Sequence, residues 1–413
     1  MSSLFNEIID LLKASLKKEF LVAAGKQDFK YCNLTWVTLE LPNRLGKIMV
    51  TIKEIARITG VSVATVSNVL NGKSGAASET KTREIITIAG NLQYMPNILA
   101  RNLKQQKTNT IGIITEDLTV FNAPEIVDGI DAYCEENGYE IILENLRLFK
   151  RYNNDFTDTP KHSELLNSML RNMIAKQVEG IVYVGYHCRE ITYLPSWVRV
   201  PFVYAYCYPK EKIYTSVMYD DEKAAKDVVM LLIAKGHRRI GAICGPVSSY
   251  HTQARLNGYK AALSEHKIKI DHDLIVYGGW ERFSGYRLSA ILLDRGVSAI
   301  FSFNDMMASG VYEQAAERGL RIGKDISLFG FDNRSISQGY VPALSTVQPP
   351  LCEIGRRAAE IILNQINNRR TKIKKIALPC AILERNSVGV IKTAENKKSC
   401  AIAAKLPLKT CAP

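Results

Sequence analysis

Thr51-Ile-Lys-Glu-Ile-Ala-Arg-Ile-Thr-Gly60-Val-Ser62-Val-Ala-Thr-Val-Ser-Asn-Val-Leu70-Asn-Gly72 spells two short amphipathic helices around one glycine turn. Thr51 and Glu54 have the spacing of a capping box, in which paired side chains satisfy orphan amides at a helix start. Ile52, Ile55, Ala56 and Ile58 then supply one apolar face. Gly60 provides the turn and Ser62 has the chemistry to cap a second helix. Along that helix Val63, Val66, Val69 and Leu70 recur at helical spacing until Asn71-Gly72 stops it. Valine is a poor helix former, so this second helix must be held by packing. The pattern is that of a helix-turn-helix, whose second helix enters the major groove of duplex DNA. The outward positions expected to read bases are Val63, Ala64 and Asn68, with Thr65 and Ser67 nearer phosphates. Asn can pair bidentately with adenine whereas Val and Ala touch only a thymine methyl, so sparse readout is expected. An ordinary helical hairpin with a solvated polar face would carry the same local signals.

Working outward, Ser78 to Leu92 predicts a third helix, with Ile85, Ile86, Ala89 and Leu92 on one face to close a three-helix core. Tyr94-Met-Pro96-Asn97 follows, where Pro96 ends an extended link and Asn97 can cap a short helix through Ala100-Arg101-Asn102-Leu103. At this point the stretch from Val50 to Ile114 resembles the DNA-binding head and hinge of LacI-family repressors. The resemblance is carried by Gly60-Val61-Ser62, Thr65-Val66-Ser67, Asn71-Gly72, Tyr94-Met95-Pro96-Asn97, Ala100-Arg101-Asn102-Leu103 and Ile111-Gly112, in that order. One departure is the loop Gly72-Lys-Ser-Gly-Ala-Ala77, one residue longer than usual, with Ala77 where a valine is common. The resemblance implies a DNA-contacting set of Thr51, Ser62, Val63, Ala64, Thr65, Ser67, Asn68, Asn71, Tyr94, Asn97, Ala100, Arg101 and Leu103. It also implies a hinge helix that folds on operator DNA and wedges Leu103 into the minor groove, bending the duplex.

Charge fits such a head. Of the net +13, residues 49–109 carry eight Lys/Arg against three Asp/Glu, while the long middle of the chain is close to neutral. The N-terminal apolar residues are interrupted by Asn6, Glu7, Asp10, Lys13, Lys17 and Lys18, which does not read as an export signal. No stretch has the length of a membrane span. Together these features predict a cytoplasmic protein. Nine scattered cysteines without a Cys-x-x-Cys pair read as reduced thiols and not as a disulfide frame or a zinc site. Residues 1–48 precede the family pattern and read as an N-terminal extension, with Met49 an alternative start; residues 392–413 read as a basic, disordered tail.

From Asn109 the pattern changes to alternating strands and helices. Buried strands are expected at Thr110–Ile114, Tyr139–Leu143, Gly180–Val184, Pro201–Tyr204, Ile240–Cys244, Leu274–Tyr277, Ala299–Ser302 and Ile326–Phe329, with helices between them. Two such units in tandem predict two α/β lobes with parallel sheets, and ligands in such sheets bind beyond the carboxyl ends of the strands. The expected organisation is an all-α head at 49–95, a hinge at 96–109 and a two-lobed core at 110–391. This core resembles the periplasmic-binding-protein-like core of the same family, through Gly236-His237-Arg238-Arg239-Ile240-Gly241, Gln253-Ala254-Arg255-Leu256-Asn257-Gly258-Tyr259, Phe303-Asn304-Asp305, Gly330-Phe331-Asp332-Asn333 and Glu384-Arg385-Asn386-Ser387. Carried across, the resemblance puts Arg255, Asn304 and Asp332 against effector polar groups and Trp280 where a ring stacks on a sugar. The first lobe lacks the usual acidic residue after Pro201 and has Tyr204-Ala205-Tyr206-Cys207-Tyr208 instead. Its first βα loop offers Glu116, Asp117 and Phe121, so Tyr204 and these three complete the candidate effector set. A tyrosine-rich cleft favours a mono- or disaccharide over a phosphorylated nucleotide.

Catalysis is not expected: the six histidines show no metal spacing, and neither a Walker phosphate loop nor a Gly-x-Ser-x-Gly elbow occurs. His251 is a lone histidine near the cleft. A secreted sugar-binding protein would share the two lobes but would need an export signal and no head. No cofactor or metal is expected; the partners expected are operator DNA, a small effector and a second copy of the chain.

Overall fold

The computed structural model describes residues 50–94, 107–152, 160–210, 213–369 and 374–391. The chain divides into two compact units, Met1–Asn97 and Ile98–Pro413. In the first unit, α1 (Ile52–Thr59), α2 (Val63–Leu70) and α3 (Glu79–Asn91) enclose a small core of Ile55, Ala56, Val66, Val69, Ile85 and Ala89. Gly60 takes the left-handed conformation (φ 66°) that the turn requires, at little cost for glycine. Ser62 Oγ accepts from Thr65 N at 3.0 Å, and Ser78 Oγ from Lys81 N at 3.3 Å, so both later helices carry the expected serine caps.

Three local expectations are corrected. The capping box does not form: Thr51 precedes α1 in an extended conformation and its side chain makes no cap hydrogen bond. Ile58 is 47% exposed and Thr59 takes the inward place, its hydroxyl donating to Ile55 O at 2.7 Å. Ile86 is 54% exposed, because residues 85, 88, 89 and 92 already fill the narrow stripe this helix can bury. Ala76 and Ala77, in the longer loop, pack against the head core.

In the second unit, strands β1 (Thr110–Thr115), β2 (Glu140–Asn145), β3 (Gly180–Val184), β5 (Phe202–Ala205), β7 (Thr215–Tyr219) and β13 (Lys375–Leu378) form a parallel sheet ordered β2-β1-β3-β5-β7-β13. A short pair, β4 (Glu190–Ile191) and β6 (Tyr208–Pro209), lies beside it. The chain adds α4 (Asn122–Glu136), α5 (Leu148–Tyr152) and α6 (Pro160–Ala175) between these strands. Strand alternation sorts the side chains: Ile111, Ile113, Val182, Val184, Val203 and Ala205 join one core, while Ile114, Ile181, Tyr183, Phe202 and Tyr204 join another with α6.

The second lobe is a four-stranded parallel sheet of β8 (Ile240–Cys244), β9 (Ile275–Tyr277), β10 (Ala299–Ser302) and β11 (Ser327–Phe329), ordered β9-β8-β10-β11. Its helices are α7 (Asp221–Ala234), α8 (Tyr250–Glu265), α9 (Arg282–Asp294), α10 (Asp305–Glu317) and the short α11 (Ile336–Gly339). Strands β12 (Thr346–Gln348) and β14 (Ala381–Leu383) pair antiparallel.

The chain then returns to the first lobe. Helix α12 (Leu351–Ile366) packs against α4 so closely that a Cβ at Gly355 would come within 2.0 Å of Ile126 O. The lobes are therefore joined three times: after β7, between β12 and α12, and between β13 and β14. The expected strands at 180–184, 240–244 and 299–302 have the expected bounds, but β7, α12 and β13 were not anticipated.

Candidate functional site

In the head, α2 turns Val63 and Ala64 outward, exposed, and leaves Thr65, Ser67 and Asn68 half-exposed. Thr51, Ser62 and Asn71 are exposed; Ser62 and Asn71 are also busy locally, since Asn71 Nδ2 donates to Ser67 O at 2.7 Å. Tyr94 is half-buried against the head core. Asn97, Ala100, Arg101 and Leu103 lie outside the described residues, as do the N-terminal extension, most of the hinge and the basic tail.

The cleft is built at the carboxyl ends of the strands of both lobes. Asp221, the first residue of α7, is the centre. Its Oδ1 accepts from Arg255 Nε at 2.7 Å and its Oδ2 faces His251 Nδ1 at 2.9 Å. Arg255 also donates to Tyr219 Oη at 3.1 Å and to Phe303 O, and its guanidinium lies over the Phe331 ring at 3.5 Å. Tyr206 Oη stands 3.0 Å from His251 Nε2 and 3.3 Å from Tyr219 Oη. Burial would raise the Asp221 carboxyl, but His251 and Arg255 beside it bring it below its ordinary value. Burial also lowers His251. A neutral imidazole with its proton on Nδ1 then donates to Asp221 and accepts from Tyr206.

Asp332 approaches Arg255 at 3.8 Å and has no side-chain hydrogen bond to a described residue. Burial pushes its carboxyl up to about 8 despite Arg255. Its backbone sits at φ 103°, tied by its N–H to Val347 O at 2.9 Å, while Tyr206 sits at φ 59°. Positive φ is uncommon for residues with a Cβ, so both are held there by their surroundings. Trp280 is half-buried, 5.9 Å from the Arg255 guanidinium and 6.2 Å from the His187 ring; Phe121 carries the Arg334 guanidinium 4.2 Å above its ring. His187 Nε2 meets Ser249 Oγ at 2.9 Å across the lobes.

Four expected effector residues have other work. Glu116 is fully buried, accepting from Tyr183 Oη at 2.7 Å, Tyr186 N at 2.8 Å and Arg189 at 2.5 Å. Asp117 braces Thr119 and Phe149 N. Tyr204 shares strand parity with Phe202 and points into the first-lobe core; its neighbours are Tyr183, Phe202 and Tyr214. Asn304 caps α10 through Oδ1 and holds Trp280 O through Nδ2 at 2.9 Å. Thus Phe121, Arg255, Trp280 and Asp332 gather at the cleft, whereas Glu116, Asp117, Tyr204 and Asn304 support it. Sequence reasoning missed His187, Tyr206, Tyr219, Asp221 and Ser249. Only the run of tyrosines around position 206 signalled them.

A helix-turn-helix unit followed by a two-lobed α/β receptor with a polar, aromatic cleft defines a ligand-controlled DNA-binding protein. The profile described as "Bacterial regulatory proteins, lacI family" matches residues 51–97 and that described as "Periplasmic binding protein-like domain" matches residues 229–388. The chain is 34% identical over 346 residues to catabolite control protein A of Priestia megaterium, covering 82% of this chain and 99% of that protein. It is 30% identical over 350 residues to the HTH-type transcriptional repressor PurR of Vibrio atlanticus, covering 83% of this chain and all of that protein. In fold it matches the lac repressor dimer bound to operator and the anti-inducer ONPF, with a TM-score of 0.66 at 24% identity, covering 83% of this chain and 99% of that one. The chain belongs to the LacI family of transcriptional regulators. It is a DNA-binding transcription regulator with an effector-binding core, in a family of regulators and not of enzymes.

Proposed function

We propose that this regulator is a cytoplasmic homodimeric repressor whose effector is a mono- or disaccharide held between the lobes. The head is taken as 49–95, the hinge as 96–109 and the core as 110–391. One observation carries the sugar reading. Arg255, the buried cation at the centre of the cleft, is already neutralised by Asp221 and is not free to pair with a phosphoryl dianion. Asp332 offers an acceptor for adjacent hydroxyls, and Trp280 and Phe121 offer rings for the apolar side of a pyranose. The two heads read an inverted repeat, with Val63, Ala64 and Asn68 toward bases and Leu103 as the hinge wedge. Effector binding and operator binding alter one another by the same factor.

A thermal-shift screen of sugars, nucleobases and sugar phosphates on the purified protein tests the reading. A sugar should raise the melting temperature, and Trp280→Ala should remove that shift. Stabilisation by a nucleobase or a phosphorylated compound, with no sugar effective, would refute it. For the head, Asn68→Ala should cost about 1–3 kcal/mol of discrimination at one base pair, read by competition between duplexes, while non-specific binding stays unchanged.

A further inference from the structure

Strand β7 ends in the cleft with Tyr219 and begins, about 13 Å away at the ordinary rise of a strand, with Thr215. At that far end a cavity of about 200 Å³ opens between α12 and the amino ends of β7 and β13. Ile361 and Ile376 form its apolar side. Its polar lining includes Thr215, Asn364, Lys374 and the pair Arg357–Glu360.

Two observations mark the cavity as more than a packing gap. Thr215 is 1% exposed, yet its Oγ1 has no hydrogen-bond partner among the described residues. A buried hydroxyl left unpaired is unfavourable, and a ligand oxygen entering the cavity would satisfy it. The charges of Arg357 and Glu360 cancel one another, while Lys374 has no carboxylate partner among the described residues. Among the described residues the lining therefore carries one positive charge without a paired carboxylate, beside a neutral donor and an apolar wall. That combination suits a monoanion with a short carbon skeleton better than a phosphate dianion.

We propose that this cavity is a second ligand site, separate from the cleft, that takes a compact monocarboxylate. Thr215 Oγ and Lys374 Nζ hold the carboxylate, and Ile361 and Ile376 cover its carbon atoms. The occupant clamps α12 to β13, the two segments that follow the second and precede the third inter-lobe crossover. It thereby biases how the lobes close. The proposal stands independently of what binds in the cleft.

Calorimetric titration of the full chain with acetate, pyruvate, L-lactate and inorganic phosphate tests it, using the unmodified protein and the Thr215→Val, Lys374→Ala and Trp280→Ala variants. Saturable binding of at least one carboxylate is expected, weakened about tenfold or more by Thr215→Val and by Lys374→Ala and unaltered by Trp280→Ala. Thr215→Val keeps the side-chain shape and removes the unpaired hydroxyl, so its ligand-free melting temperature should not fall. Absence of saturable binding by any of the three carboxylates, binding of phosphate alone, or binding that survives both cavity variants overturns the proposal. Loss of binding in Trp280→Ala alone would place the anion in the cleft and overturn it equally.

Discussion

The two walls of the cleft are built on different principles. The second-lobe wall is built on an ion pair: Asp221 and Arg255 are joined directly, His251 lies beside Asp221, and the Asp332 carboxyl stands 3.8 Å from Arg255. The first-lobe wall is neutral and consists of the half-buried His187 and the buried Tyr206 and Tyr219, which meet Ser249, His251 and Arg255 of the second lobe. Charges need fixed partners to survive burial, so the second wall is preorganised and tolerates little change. Neutral rings tolerate water or a ligand equally well, so the first wall can part from the second at modest cost. The comparison makes the second lobe the more rigid wall of the cleft and the first lobe the wall that can part from it.

The largest expected effect comes from breaking the charged wall. Arg255→Ala leaves Asp221 buried without its cation and should destabilise the protein by about 3–5 kcal/mol in denaturant unfolding. A loss below about 1 kcal/mol would mean the wall is not the rigid one.

Asp332→Asn sharpens the same point through pH. The carboxyl lies near 3.8 in the unfolded chain and is pushed up to about 8 in the fold by burial. Over that window the native state holds a proton that the unfolded state releases, so the contribution of Asp332 to stability falls as pH rises. Unfolding midpoints at pH 5 and pH 8 should therefore differ less in Asp332→Asn than in the unmodified protein. Equal differences would mean that burial does not hold the Asp332 proton.

Tyr206→Phe is expected to have the smallest effect. It removes the hydroxyl beside His251 and Tyr219 without emptying space, and should cost about 1 kcal/mol of stability. It should weaken the effector-induced thermal shift more than it weakens the fold. A destabilisation as large as that of Arg255→Ala would erase the distinction between the walls.

The head could be read almost whole from the sequence, because its determinants are local. Gly60, the Ser62 and Ser78 caps and the apolar stripes act within a few residues of themselves. Where the reading failed, at Ile58 and Ile86, the stripe was drawn one residue too wide for short helices packed in a small core. Buried parallel strands such as Gly180–Val184 and Ile240–Cys244 were equally legible, being continuous apolar runs between turns. Strand β7, with Thr215 and Ser216, and β13, with Lys375, lack such runs and escaped notice.

By itself, then, the sequence determined that a DNA-reading head precedes a two-lobed parallel α/β receptor, since helix periodicity, caps and apolar runs are properties of neighbouring residues. Which side chains face the effector was decided only in three dimensions. Strand parity sent Tyr204 into the core with Phe202, and the left-handed backbone at Tyr206, just past the end of β5, broke that alternation and turned Tyr206 toward His251. The packing of α7 on α8 brought Asp221 to Arg255, 34 positions away, and the loop after β11 brought Asp332 to within 3.8 Å of the same guanidinium. Contacts of that range depend on how the sheets are connected, and no local pattern encodes the connection.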